Sequence, residues 1–128
     1  YIYIYIYIYI MIYNAVDDLL SEIGVIGVCS YEGNTVDEIW DTLIINEGNV
    51  EKPDKDYFIR KVNEYILVRC LDKLRKKRNK LLEESDWTQM QDVNIIKKHE
   101  WKTYRQALRE LPANTPDPTN ISWPTPPS

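Results

Sequence analysis

Residues 54–84 read DKDYFIRKVNEYILVRCLDKLRKKRNKLLEE, and this stretch decides the fold. Apolar side chains recur along it at Phe58, Val62, Tyr65, Ile66, Leu67, Cys70, Leu71, Leu74, Leu81 and Leu82, mostly three or four residues apart. That is the period of a one-sided α-helix. Asp54 follows Pro53 and suits an N-cap, and Asp56 falls in the first turn, where the helix dipole favours a negative charge. No Gly or Pro intervenes before Ser85. The spacing predicts a helix over Lys55–Glu84, about 45 Å long at 1.5 Å per residue. In a chain of 128 residues, such a helix outruns what the rest can cover. Part of it is expected to be exposed or to meet another chain.

Working outward from the helix's end, Ser85-Asp86 break it and Trp87 stands at a corner. A second helix is predicted over about residues 95–111, with Trp101, Tyr104, Leu108 and Leu111 as its stripe and Pro112 ending it. The tail, residues 113–128, holds five of the seven prolines, with Ile121 and Trp123 as its apolar anchors. Polyproline II or irregular extended chain is expected there. The segment Trp123-Pro124-Thr125-Pro126-Pro127 is a Pro-rich ligand for a partner's aromatic groove or folds back on its own helices.

Upstream, Ala15, Val16, Leu19 and Leu20 predict a short helix behind Asn14 as N-cap. Gly24 and Gly27 punctuate a β-rich run, Gly33-Asn34 reads as a turn, and Ile39 to Ile45 fits a strand or a short helix. We read a strand pair, a candidate β-hairpin. Residues 1–10 are five copies of Tyr-Ile. As a strand they would have no polar face and would be prone to aggregate. Alternating T and A in DNA encodes this dipeptide, so we expect AT-repeat DNA read through upstream of Met11. A strand or oligomerisation segment is the alternative. The expected divisions are 1–10, an N-terminal α/β portion 11–53, a helical hairpin 54–112 and the tail 113–128.

Composition narrows the function. Apolar residues make up 44% and charged residues 28%, a balance for a small folded protein without a membrane span. Two cysteines, Cys29 and Cys70, make no disulfide framework and no four-cysteine zinc site, and are read as buried apolar residues. The single histidine, His99, gives no metal cluster and no base for a cysteine nucleophile. No Gly-rich phosphate loop is present. No metal or cofactor is expected, no catalytic residue is assigned, and a non-enzymatic protein is predicted. Charge is uneven: residues 1–50 carry eight acidic side chains and no Lys or Arg, whereas residues 51–128 have a net charge of +4. Two parts of such a chain face each other or face different partners. The run from Arg75 to Lys80 could bind phosphates, but Leu74 and Leu81 continue the buried stripe through it. We read a solvated or acid-facing helix end.

The C-terminal sequence resembles a known family. The residues that carry the likeness are RNKLLEESDWTQ (78–89), EWKTYRQALRELP (100–112) and NISWP (120–124). This composite pattern resembles the phage tail assembly chaperone family over roughly residues 74–128. The family usually places a Pro after the corner and a Ser or Thr at the second helix start. Here Met90-Gln91 and Ile95-Ile96 occupy those places. The resemblance implies a protein-interaction factor in phage tail or tail-fibre assembly. Its partner would be another tail or tail-fibre protein, with a homo-oligomer as a further possibility, in the host bacterial cytoplasm or in the virion tail.

The expected fold is α+β, mainly α: a short helix and candidate hairpin, then a long helix packed against a second C-terminal helix, with an extended Pro-rich tail. Trp87, Trp101, Tyr104, Arg105, Leu108 and Trp123 are the candidate partner-binding residues, because Trp, Tyr and Arg are the usual interface anchors. The same side chains would serve as a small core. Two rival functions remain, a minor structural component of the virion tail and a nucleic-acid binder using Arg75–Lys80.

Overall fold

The computed structural model describes residues 2–25, 29–46, 50–92 and 96–128, with side chains from Tyr5 onward at the N-terminus. Among these residues the chain runs α1 (Ile2–Glu22), β1 (Cys29–Ser30), α2 (Val36–Thr42), β2 (Ile44–Ile45), α3 (Lys55–Glu84), a 3-10 turn at Asp86–Gln89 and α4 (Lys98–Asn114). It is mainly helical, with one small antiparallel sheet. The chain divides into two compact units, residues 1–68 and 69–128, with the boundary inside α3.

The long helix spans the residues its spacing predicts. Asp54 caps it: one carboxylate oxygen accepts from the amides of Asp56 (3.0 Å) and Tyr57 (3.1 Å), two donors that would otherwise lack an intrahelical partner.

In the first unit α1 is far longer than the short helix expected behind Asn14, which lies mid-helix. Met11, Ile12, Ala15, Val16, Leu19 and Leu20 are all buried, a stripe at helical spacing. Once that stripe is fixed, adding residues to its N-terminal end costs less than nucleating a separate element. The Tyr-Ile repeat is therefore helical from Ile2 onward, not a strand. Its residues Tyr5 to Ile10 are 40–74% exposed, because residue-by-residue alternation scatters both side-chain types around a helix. The helix ends at Gly24 (φ +90). The amides of Gly24 and Val25 bond back to the carbonyls of Ser21 and Leu20, the glycine-terminated closure of helices.

The strand pair exists but is not a simple hairpin. Cys29 pairs with Ile45 and Ser30 with Ile44, and α2 lies in the connection between the two strands. Ile39 and Trp40, which fitted either reading, are helical. The reason lies in Thr35 and Glu38. The Thr35 hydroxyl accepts from the Glu38 amide at 3.2 Å, and the Glu38 carboxylate accepts from the Asn34 amide at 2.8 Å, a variant of the reciprocal capping box. Gly33 is required beside it: a Cβ there would stand 2.7 Å from the Glu38 Cβ. The core of this unit gathers Leu19, Val16, Ile39, Leu43, Phe58 and Val62.

Acid-base complementarity is partly met within this unit. Lys55 reaches Asp41 (2.8 Å) and Asp37 (3.6 Å), and Lys52 lies 4.0 Å from the Trp40 ring centroid. The phenols of Tyr31 and Tyr65 donate to the carboxylates of Asp17 and Glu22. The Glu22 bond pushes the Tyr65 pKa up to about 12, and burial followed by the Asp17 bond raises that of Tyr31.

Two outcomes follow. A chain beginning at Met11 should unfold within about 0.5 kcal/mol of the full chain, because the repeat covers little of the core; collapse of the α1 signal in thermal melts would contradict this. The Tyr65 proton is held more tightly in the folded chain, so its stabilisation is complete below pH 10.0 and is lost as pH rises through about 12. Tyrosine absorbance and far-ultraviolet circular dichroism, followed together in an alkaline titration, should show a late ionisation coincident with helix loss. One ordinary ionisation step for all tyrosines would contradict it.

Candidate functional site

The second unit is built around the end of α3. The last turn of α3 contains no basic residue and ends in Glu83 and Glu84, the wrong sign for a helix C-terminus. The missing cation arrives from α4. One Nη of Arg105 donates to the Leu82 carbonyl (2.6 Å) and the Ser85 hydroxyl (2.7 Å), and the other to the Asp86 carboxylate (2.6 Å). The Arg105 side chain is only 8% exposed, against 63% for Asp86. A buried guanidinium is tolerated only with such partners; its Nε has none among the described residues, and the Leu82 carbonyl it reaches also accepts from the Ser85 amide at 3.2 Å.

The corner is fixed by a relay of short-range bonds. The Ser85 hydroxyl donates back to the Leu81 carbonyl at 2.8 Å, with the Leu82 carbonyl at 3.0 Å. The Thr88 hydroxyl donates to the Ser85 carbonyl at 2.7 Å and itself accepts from the Gln89 amide group at 2.7 Å. Ser85 and Thr88 are buried, but Trp87, between them in sequence, is 49% exposed. The corner hides Ser85 and Thr88 and presents its largest apolar residue beside exposed Asp86.

The six candidate residues take different positions. Tyr104, Arg105 and Leu108 are buried in α4. Trp101 is half-buried, its ring centroid 5.7 Å from Tyr104 and near-perpendicular to it, and 6.1 Å from Trp87. Trp87 and Trp101 thus make an aromatic ledge of which Tyr104 is the inner end. Burial, reinforced by the Glu84 charge, raises the Tyr104 pKa. Trp123 is half-buried elsewhere on the unit, under the Lys77 ammonium at 4.5 Å.

The α4 bounds differ from those expected. The helix starts at Lys98, and Ile95 lies outside the described residues. It also runs two residues past Pro112, to Asn114. A proline this near a C-terminus removes one hydrogen bond without stopping the turn, and the Thr115 hydroxyl closes the end on the Leu111 carbonyl at 2.6 Å. The tail then turns at Asp117-Pro118-Thr119-Asn120: the Asp117 carboxylate accepts from the Thr119 amide (2.9 Å) and hydroxyl (2.6 Å). Those bonds hold the Asp117 pKa below the usual carboxylate range. Pro118 is buried, so in this structure the tail folds back on its own unit.

The basic run is largely engaged or solvated. Arg75 lies 3.5 Å from Asp72, Lys80 lies 3.8 Å from Glu84, and Leu74 is buried beneath the run. Among the described residues no group of His, Cys, Asp and Glu could hold a metal ion, and no helix is long and apolar enough to cross a membrane. Cys70 is buried, Cys29 half-buried, and neither is in a disulfide; burial pushes the Cys70 thiol up.

This unit is α-helical, with a corner held by a buried arginine and with Trp87 and Trp101 partly exposed beside it. Residues 71–128 match the family described as phage tail assembly chaperone protein. The match covers a little under half of the chain and nearly all of the second compact unit, residues 69–128. The resemblance seen in the sequence is shown over that segment. Searches of curated proteins and of solved structures each gave no match.

Arg105→Ala should lower stability by roughly 2–3 kcal/mol, since it removes the charged donor that the Ser85 hydroxyl and the Leu82 carbonyl share at the corner. Asp86→Asn, at an exposed carboxylate, should cost only about 1 kcal/mol or less. Chemical denaturation of the two variants checks the ordering, and equal losses would contradict the clamp. Trp101→Ala should cost about 3–5 kcal/mol if the inner half of the ledge is core.

Proposed function

We propose that this protein is a non-enzymatic helper in phage tail or tail-fibre assembly, acting by contact with another tail protein in the host cytoplasm. The family match over residues 71–128 carries this reading. The local geometry supports it in a specific way. A helper must present apolar surface to an unassembled partner while remaining folded itself. Trp87 is half exposed, yet it stands on a turn whose neighbours Ser85 and Thr88 are locked by hydrogen bonds. An aromatic held on a rigid support loses little conformational entropy on binding, which is what makes such residues interface anchors. Trp87 and the outer face of Trp101 are assigned to partner contact. Tyr104, Arg105 and Leu108 support that surface from within, and Trp123 holds the tail on α3.

The test is co-expression with a tail-fibre protein from the same phage genome. The wild-type chain should raise the soluble yield of that protein. Trp87→Ala should lose most of the gain while leaving thermal stability within about 1 kcal/mol of wild type, the range for a surface substitution. A full gain with Trp87→Ala would remove the ledge from the function. Stoichiometric recovery of the chain in purified particles would favour a structural tail component instead.

A further inference from the structure

Charge divides between the two compact units. Residues 1–68 contain twelve acidic and four basic side chains, a net of −8, and residues 69–128 contain eight acidic and twelve basic ones, a net of +4. The basic excess is organised. Lys73, Lys76, Lys77 and Lys80 fall at i, i+3, i+4 and i+7 on α3, so they share one face. All four are exposed, whereas Cys70 and Leu74 are buried. The acidic excess is exposed as well: Asp18, Glu32, Asp37, Glu38 and Asp41 all face solvent, and Lys55 alone is shared between Asp37 and Asp41.

We propose that the lysine row Lys73–Lys76–Lys77–Lys80 of one copy docks the acidic unit of a second copy, giving salt-dependent head-to-tail association. Charge complementarity selects this occupant. The matching carboxylates are part of the same chain and so are present at the same concentration as the row. Nucleic acid fits less well. The whole chain carries a net charge of −4, and the row is bordered on α3 by Asp72, Glu83 and Glu84, with Lys80 already 3.8 Å from Glu84. Opposed potentials of this kind give encounter and register more than raw affinity, and they weaken as salt is added. A contact between two different surfaces does not close on itself in the way a two-fold dimer does. Association should therefore grow with protein concentration, into open chains or, where the rotation closes, into rings. The inference goes beyond the assembly role and uses neither tryptophan of the ledge.

Sedimentation of the full chain tests it. At about 0.01 M ionic strength, where screening acts over about 30 Å, the average mass should exceed the 15.2 kDa of the monomer and rise with concentration. At about 1 M, where screening acts over about 3 Å, it should return to the monomer value. The charge reversal Lys73→Glu/Lys76→Glu/Lys80→Glu should weaken association at least tenfold at low salt with helicity unchanged by circular dichroism. Mixing that variant with Asp18→Lys/Glu32→Lys should restore mixed complexes that neither forms alone, an outcome a misfolded variant could not give. Monomeric mass at every concentration in low salt would overturn the proposal. So would association indifferent to salt and to the reversal. Retardation of duplex DNA by wild type but not by the reversed variant, with no self-association, would give the row to nucleic acid instead.

Discussion

Arg105 is the constraint on which the C-terminal unit depends. A helix of 30 residues ending in two glutamates arrives at its C-terminus with unsatisfied carbonyls and an unfavourable charge. A guanidinium from the next helix answers both problems in one geometry, because its planar fork reaches a carbonyl, a hydroxyl and a carboxylate together. Lysine has a point charge and no fork, and could not reproduce the arrangement. The same bonds set the direction in which α4 leaves the corner, and with it the positions of Trp101 and Tyr104.

The placement of Trp87 follows from that lock. Ser85 and Thr88 spend their hydroxyls on the backbone of the turn, so the segment is held from within, without covering the tryptophan between them. Rigidity and exposure usually compete, since burial is the common source of rigidity. Hydrogen bonds made by small side chains supply the rigidity here, and the apolar surface stays available. The tail adds a further brace, because Pro118 is buried and Trp123 lies under Lys77.

How much of this was legible in the sequence depends on whether the controlling interaction is local. The long helix was readable end to end because its cap, its period and its break at Ser85 are all nearest-neighbour signals. The capping pair Thr35 and Glu38 is equally local, but the apolar and β-branched residues from Ile39 to Ile45 fit a strand as well as a short helix, so spacing alone does not single out α2. The Tyr-Ile repeat was read at period two, whereas its state follows from the apolar stripe between Met11 and Leu20 that propagates into it. Arg105 stood out through its place in the family pattern, but its role could not be read from spacing. Its partners lie 19 to 23 residues away in sequence, and only the folded corner brings them within reach. The split of the aromatics into buried Tyr104 and exposed Trp87 was hidden for the same reason.

The most direct test of the central claim is nuclear magnetic resonance of the arginine side chains in the full chain. The Nη protons of Arg105 should exchange slowly with water and appear as distinct signals, while those of exposed Arg60 exchange fast. Slow signals that broaden when Ser85 is replaced by Ala would tie them to the helix end. Fast, averaged signals from Arg105, the same as those of Arg60, would contradict the account.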